Sequence, residues 1–280
     1  MWPLDPPAIS ARFSYETCVG STRDPRRRGR LLDAADHVAD AGERFRDAAR
    51  DGLLHALCGA AFAVPGIPAA DVVAWVYENG MVGAKAGRAL YERLMAAPRD
   101  ERCPLCGHGV VRTLDHVMPK KVFSALCVDP LNLVPACADC NRAKGEAVPS
   151  SAEATPLHPY LDRIDHDSWL DARVVHGDPL WLEFFVNPPP TWDRILIGRA
   201  RYHFELFGLG QLFATQANRT LSGIRGQLTA MLEAGGAQVV RAYLAGEAAT
   251  RLADRPNGWE GVTYRALAGD SRFCSGAFRV

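Results

Sequence analysis

Three strings decide how this chain folds: Cys103-Pro104-Leu105-Cys106, then Thr113-Leu114-Asp115-His116-Val117-Met118-Pro119-Lys120, then Asn132-Leu133-Val134-Pro135-Ala136-Cys137-Ala138-Asp139-Cys140-Asn141-Arg142-Ala143-Lys144. Two Cys-x-x-Cys pairs separated by about 30 residues suit a single tetrahedral ion held by four thiolates, the closed site of a structural zinc. Each pair makes a tight knuckle that offers two sulfurs. Bringing the knuckles together draws the Asp115-His116 segment against Asn141, which directly follows the last cysteine. The ion would place these polar residues without joining their chemistry. Residues 99–147 as a whole are turn-rich and dense in Cys, His, Asp, Asn and Lys. A unit of ~50 residues rarely stabilises itself by apolar burial alone, so a metal staple is expected on that ground too.

The polar residues beside the staple form a set with its own logic. Hydrolysis of a phosphodiester needs a general base for water, a cation on the phosphate oxygens and leaving group, and fixed geometry. The imidazole of His116 suits the base, because an unperturbed histidine titrates near neutrality. The carboxylate of Asp115 and the amide oxygen of Asn141 suit a hard cation that keeps most of its waters. Lys120, Arg142 and Lys144 are candidates for phosphate contacts. Lys144 is the strongest of these.

In order and spacing the string resembles the HNH endonuclease family, whose ββα-metal fold is two strands, a loop and a helix around one catalytic cation. The resemblance spans about 45 residues and rests on both cysteine pairs, Asp-His, Asn-Leu-Val-Pro and Cys-x-x-Cys-Asn. It implies that His116 is the general base and Asp115 a metal ligand. It implies that Asn132 holds the base-bearing loop and that Asn141 is the second metal ligand. Lys144 matches the family's frequent Cys-Asn-x-x-Lys ending. Asparagine stands where the family's literal spelling has its last histidine. An amide oxygen is harder than imidazole, which tilts the catalytic cation toward Mg²⁺ or Mn²⁺, beside a structural Zn²⁺ on Cys103, Cys106, Cys137 and Cys140. A bare zinc ribbon that binds DNA without cutting it is the competing reading, and it leaves Asp115, His116 and Asn141 unexplained.

Outward from this core the chain reads as helical. Apolar residues recur at helical spacing through Leu31–Leu57, Ala69–Glu78 and Ala84–Ala97, and again through Trp192–Phe213, Ala217–Leu232 and Ala237–Leu252. A stretch around Leu180–Val186 reads as a strand, while residues 8–30 and the tail Gly258–Val280 read as irregular. The expected fold is mainly α (α+β), with a small ββα-metal unit, 99–147, embedded between helical regions 1–98 and 148–280. Ala147–Pro156 reads as a linker, and His158 and Tyr160 just beyond it as a docking turn. His108 reads as a solvated turn residue, Arg26–Arg30 as an exposed turn, and Phe204, Phe207 and Phe213 as core.

Composition sets looser bounds. Among 280 residues, 32 are Lys or Arg and 32 are Asp or Glu, so net charge does not announce a nucleic-acid partner and any footprint must be local. No stretch reaches the ~20 apolar residues that cross a bilayer. The N-terminus lacks the pattern of a secretory signal, so a cytoplasmic setting is expected. The remaining cysteines, Cys18, Cys58, Cys127 and Cys274, read as small buried apolar residues. DNA is the expected partner. By analogy of architecture the chain resembles effectors of phage-defence, restriction or mobile-element systems, some silent until a partner ATPase or sensor acts.

Overall fold

The computed structural model describes residues 2–279. The chain divides into two compact units, Met1–Asp162 and Arg163–Val280. Both are largely helical, and each contains one two-stranded antiparallel sheet. Residues 1–98 and 99–147, separate segments in the sequence reading, lie together in the first unit, and residues 148–162 complete it.

The first unit opens with helices α1 (Ala11–Gly20), α2 (Pro25–Leu32) and α3 (Ala35–Arg50). The first two occupy the stretch expected to be irregular. Their start signals are local: Ser10 accepts a hydrogen bond from the Phe13 amide, and Asp24 accepts from Arg26 and Arg27. Pro25 sits at the first turn of α2, where its missing N–H costs nothing. Helix α4 (Ala69–Val72) runs directly into a π-helical segment, Val73–Gly83, and α5 (Lys85–Met95) follows. Tyr15, Leu31, Val38, Phe45, Val72, Val76 and Met81 fill the core between these helices.

Against them pack strands β1 (Thr113–His116) and β2 (Leu133–Ala136), paired from Thr113↔Ala136 to His116↔Leu133. Helix α6 (Ala138–Lys144) follows β2 at once. The expected ββα order is therefore present. Residues 147–156 hold no helix or strand, but they end in a docked turn instead of a free linker. The Tyr160 hydroxyl donates to the Leu133 carbonyl at 3.1 Å, and the Leu4 amide donates to Pro159.

The second unit starts with the hairpin β3 (Leu170–Val175) and β4 (Trp181–Val186), of which only the second strand was legible. Helix α7 (Arg194–Leu206) stops short of the expected Phe213. Gly208 takes a left-handed conformation (φ 58°) that a side chain would resist, and α8 (Leu209–Asp254) begins after it. A second such break, Gly236 (φ 72°), folds α8 back on itself, since Tyr243 and Gln227, sixteen residues apart, touch at 3.4 Å. The tail is not irregular: it forms α9 (Trp259–Gly269) and α10 (Ser271–Cys274), the latter capped by Asp270. Phe207 and Phe213 are core as expected, and Phe204 packs on Phe213 at 6.5 Å between ring centroids. Among the described residues no helix is long and apolar enough to cross a membrane. Cys18, Cys127 and Cys274 are buried, whereas Cys58 is exposed on a short turn.

One carboxylate of the first unit is buried without a full set of partners. Asp129 Oδ1 accepts from the Leu131 amide at 2.9 Å, but Oδ2 is sealed from water and meets no donor. Burial raises its pKa from 3.8 to about 6. The folded protein therefore keeps a proton that the unfolded chain has released between those values. The stabilising share is whole in acid and is lost as pH rises through about 6. Asp129→Asn keeps the Leu131 bond and cannot ionise. Its stability relative to wild type, from urea midpoints at pH 4 and pH 7.5, is expected to improve by up to about 3 kcal/mol toward the higher pH. A difference that does not move with pH would refute the account.

Candidate active site

The four cysteines of the two knuckles come together in the interior. Cys103 and Cys106 precede β1, Cys137 caps α6, and Cys140 lies one turn into that helix. Their sulfurs all lie within 4.8 Å of one another, with Cys106 and Cys137 at 3.9 Å. A tetrahedron with metal–sulfur bonds of about 2.3 Å has edges of about 3.8 Å, so the spacing fits an ion and not a disulfide. The Gly109 amide points at Cys106 Sγ (3.3 Å) and the Cys140 amide at Cys137 Sγ (3.5 Å), each a donor that would stabilise thiolate charge on that sulfur. The donor set is compatible with structural zinc.

Asp115 and His116 end β1, both nearly buried at 5% and 6% exposure. His116 Nε2 lies 2.9 Å from the Cys127 carbonyl oxygen. A carbonyl only accepts, so Nε2 carries the hydrogen and Nδ1 keeps the lone pair. Burial, together with the charges of Lys120 and Lys144, lowers the His116 pKa to about 3, against the raising effect of the Cys127 carbonyl; the ring is neutral at ordinary pH. Burial moves Asp115 the other way, up to about 6, while Lys144 opposes that rise. Its Oδ1 lies 3.2 Å from Lys144 Nζ.

Asn132 is fully buried in the connection that leads into β2. Its Oδ1 accepts from the Met118 amide (2.7 Å), and its Nδ2 donates to the carbonyls of Met118 and Leu126 (both 3.1 Å). One side chain thus ties both ends of the β1–β2 loop. Asn141 projects from α6 and shares with Asp115, His116 and Lys120 the lining of a cavity of about 250 Å³.

Lys120 sits over the Tyr77 ring at 5.0 Å, and Arg142 is exposed on α6. Lys121 is exposed and paired with Glu146. Lys144 is turned inward, its side chain 9% exposed. Within the Arg26–Arg30 run, Arg27 stacks on Trp75 and Arg30 donates to the Gly66 carbonyl. His108 is half-buried beside the cysteine knuckle.

Sequence reasoning missed Tyr77. It comes from the π-helical segment, stands edge-on to the His116 ring at 4.7 Å between centroids, and lines the same cavity. Nothing in its neighbourhood along the chain marks it, because the contact spans 39 residues and depends on how the helix packs. The Cys127 carbonyl was equally invisible, since any residue supplies one.

The ββα unit thus gathers four cysteine sulfurs at one end and places a histidine, a carboxylate and an amide around one cavity. Residues 103–147 match the model of the HNH endonuclease family, and this part of the chain is an HNH domain. A domain of this family supports a nuclease-type function acting on DNA. The chain is also similar to Protein ea31 of Escherichia phage lambda, 28% identical over 221 residues that cover 72% of this chain and 73% of the relative. No solved structure gives a significant match.

Cys140→Ser tests the staple. Elemental analysis of the wild type is expected to find one zinc per chain, and the variant is expected to lose it along with protection of residues 99–147 from protease. Full zinc content in the variant would exclude a four-sulfur site.

Proposed function

We propose that this protein is a metal-dependent endonuclease that hydrolyses DNA phosphodiester bonds, with His116 as general base. The observation that carries this reading is the single hydrogen bond from His116 Nε2 to the Cys127 carbonyl. It fixes the tautomer, so the lone pair of a neutral ring sits at Nδ1, and His116 lines the same cavity as Asp115 and Asn141.

His116 Nδ1 takes the proton of the attacking water. In the free protein its pKa is held low by burial and by two lysines. A phosphate entering the cavity brings negative charge beside the ring, which raises that pKa back toward the useful range. Asp115 and Asn141 supply one carboxylate and one amide oxygen, the hard donors that Mg²⁺ or Mn²⁺ takes. Such a cation would stabilise charge on the phosphate and the leaving oxygen. Asn132 holds the loop after β1 so that His116 stays in register. Tyr77 covers one side of the imidazole and keeps bulk water from it. Lys120 and Arg142 are the proposed phosphate contacts.

Binding of DNA without catalysis, or silence until a partner ATPase or sensor acts, are the competing proposals. The first predicts retention of DNA without nicking by the isolated protein, and the second predicts nicking only when the partner is present. Of the biological settings expected from architecture, a relative in phage lambda favours a mobile-element role over defence.

His116→Ala is expected to lower nicking of supercoiled plasmid in Mg²⁺ by roughly 10²–10⁴-fold while zinc content and circular dichroism stay at wild-type values. Undiminished nicking by the variant would remove His116 as the base. No nicking by the wild type across Mg²⁺, Mn²⁺ and varied DNA substrates would favour the competing proposals.

A further inference from the structure

Lys144 ends α6, and its ammonium group faces into the protein. Nζ lies 2.5 Å from the His116 carbonyl oxygen, 3.2 Å from Asp115 Oδ1 and 3.4 Å from the Gly145 carbonyl oxygen. Three acceptors surround a group with three donors, so its hydrogen-bonding capacity is filled from within the chain. The side chains of Lys144 and Asp115 are 9% and 6% exposed. A lysine that contacts phosphate keeps its head in water at the end of a flexible stem, which is the reverse of this arrangement. Pulling Lys144 out to meet DNA would strand a buried carboxylate without its counter-charge, at a large cost.

We propose that Lys144 is a positioning residue of the cation site: it clamps Oδ1 of Asp115 and the backbone oxygen of His116, and so restrains which carboxylate oxygen Asp115 turns to a cation. The proposal rests on the reading of Asp115 and Asn141 as cation ligands. Ligation through one carboxylate oxygen suits Mg²⁺ or Mn²⁺, which take few protein ligands in strict octahedral geometry. Ca²⁺ prefers more oxygens, often both from one carboxylate. The clamp has a consequence that a purely structural lysine lacks. An ammonium beside the ligand repels an incoming dication, so Lys144 weakens cation binding while it improves geometry.

The test compares wild type, Lys144→Met and Lys144→Arg as full-length zinc-loaded proteins. Mn²⁺ affinity is read by calorimetry, binding to duplex DNA without divalent cation by anisotropy across a salt series, and plasmid nicking by kcat and KM. For Lys144→Met, Mn²⁺ is expected to bind roughly threefold tighter or more, as a like charge has been removed. Its kcat is expected to fall by roughly tenfold or more, because the ligand and base are no longer held in place. DNA affinity and its salt dependence stay unchanged. Lys144→Arg, which keeps charge and donors, recovers most of the kcat.

A drop in DNA affinity with the salt slope smaller by about one would instead make Lys144 a phosphate contact and overturn the proposal. Weaker Mn²⁺ binding together with lost kcat overturns it too, because that pattern marks general loosening of the strand. Unchanged Mn²⁺ binding and kcat in Lys144→Met likewise overturn it. Where Lys144→Met loses zinc or helical circular dichroism, Lys144→Gln carries the same comparison. Asp115→Ala separates the two levels. If it leaves Mn²⁺ affinity untouched, the cation site itself falls. If it abolishes Mn²⁺ binding, any adverse result with Lys144 falls on the clamp alone.

Discussion

Four sulfurs within 4.8 Å of one another connect two segments about 30 residues apart, and the rest of the site depends on that closure. The β1–β2 pairing is short, from Thr113↔Ala136 to His116↔Leu133. An isolated two-stranded sheet of this length is at best marginally stable in water. The knuckles stand at its outer end and leave little freedom in how the strands meet. Zinc binding is worth roughly 10–16 kcal/mol in small finger peptides, far more than so short a ladder contributes. The unit is not alone, however. Tyr91 of α5 reaches the Leu114 amide, and Tyr160 reaches Leu133, so helix and docked turn carry part of the load. Loss of an ion held there would therefore be a local event at the knuckles before it became a global one.

That closure lets the protein keep an unusual density of polar groups in its interior. Asp115, His116, Asn132 and Asp129 are all at or below 6% exposure. Buried polar groups are tolerated when their hydrogen bonds are met, and three of the four meet theirs through backbone atoms or Lys144. Asn132 makes three such bonds, each worth about 1 kcal/mol net, but its removal would also orphan the Met118 amide at about 1–3 kcal/mol. The two figures are of similar size, so Asn132 matters both for the bonds it makes and for the amide its absence would leave unmatched. The same reasoning applies to Asp115 and Lys144, where either partner alone would be a buried unpaired charge.

How much of this was legible in the sequence follows the range of the interactions. The cysteine knuckles, the Asp-His pair and the two asparagines are short motifs whose chemistry is local, and the structure brings all of them to one unit. Long amphipathic helices were legible as well, because a 3.6-residue period repeats over several turns in α3 and α5. Helices α1, α2 and α9 were missed, although Ser10 and Asp24-Pro25 are start signals that a reading of caps, independent of periodicity, would have found. Gly208 broke a helix that apolar spacing carried through to Phe213, since spacing is blind to a single backbone dihedral, whereas the break at Gly236 falls in the gap that the spacing itself left between Leu232 and Ala237. The inward turn of Lys144 was not legible at all. A lysine four residues past a cysteine looks the same whether its stem runs outward to solvent or back over a strand.

Tyr77 shows why the matched segment and the proposed site differ in extent. The family match begins at residue 103, yet one side of the His116 ring is covered by a residue from the helical region before it. The covering segment is π-helical, a wide and energetically poor geometry that recurs near functional sites. Its side chains are buried at Val73, Val76 and Tyr77, so packing, chiefly against α1 and α5, offsets the poor backbone bonding. Without that segment, His116 would lose the desolvation that holds its pKa near 3 and the ring contact that fixes its plane. The histidine would then titrate near its ordinary value and rotate more freely, which trades placement for basicity. The helical region before the motif is thus a wall of the cavity as well as its scaffold, and it would couple the proposed chemistry at His116 to the packing of a segment that the motif does not contain.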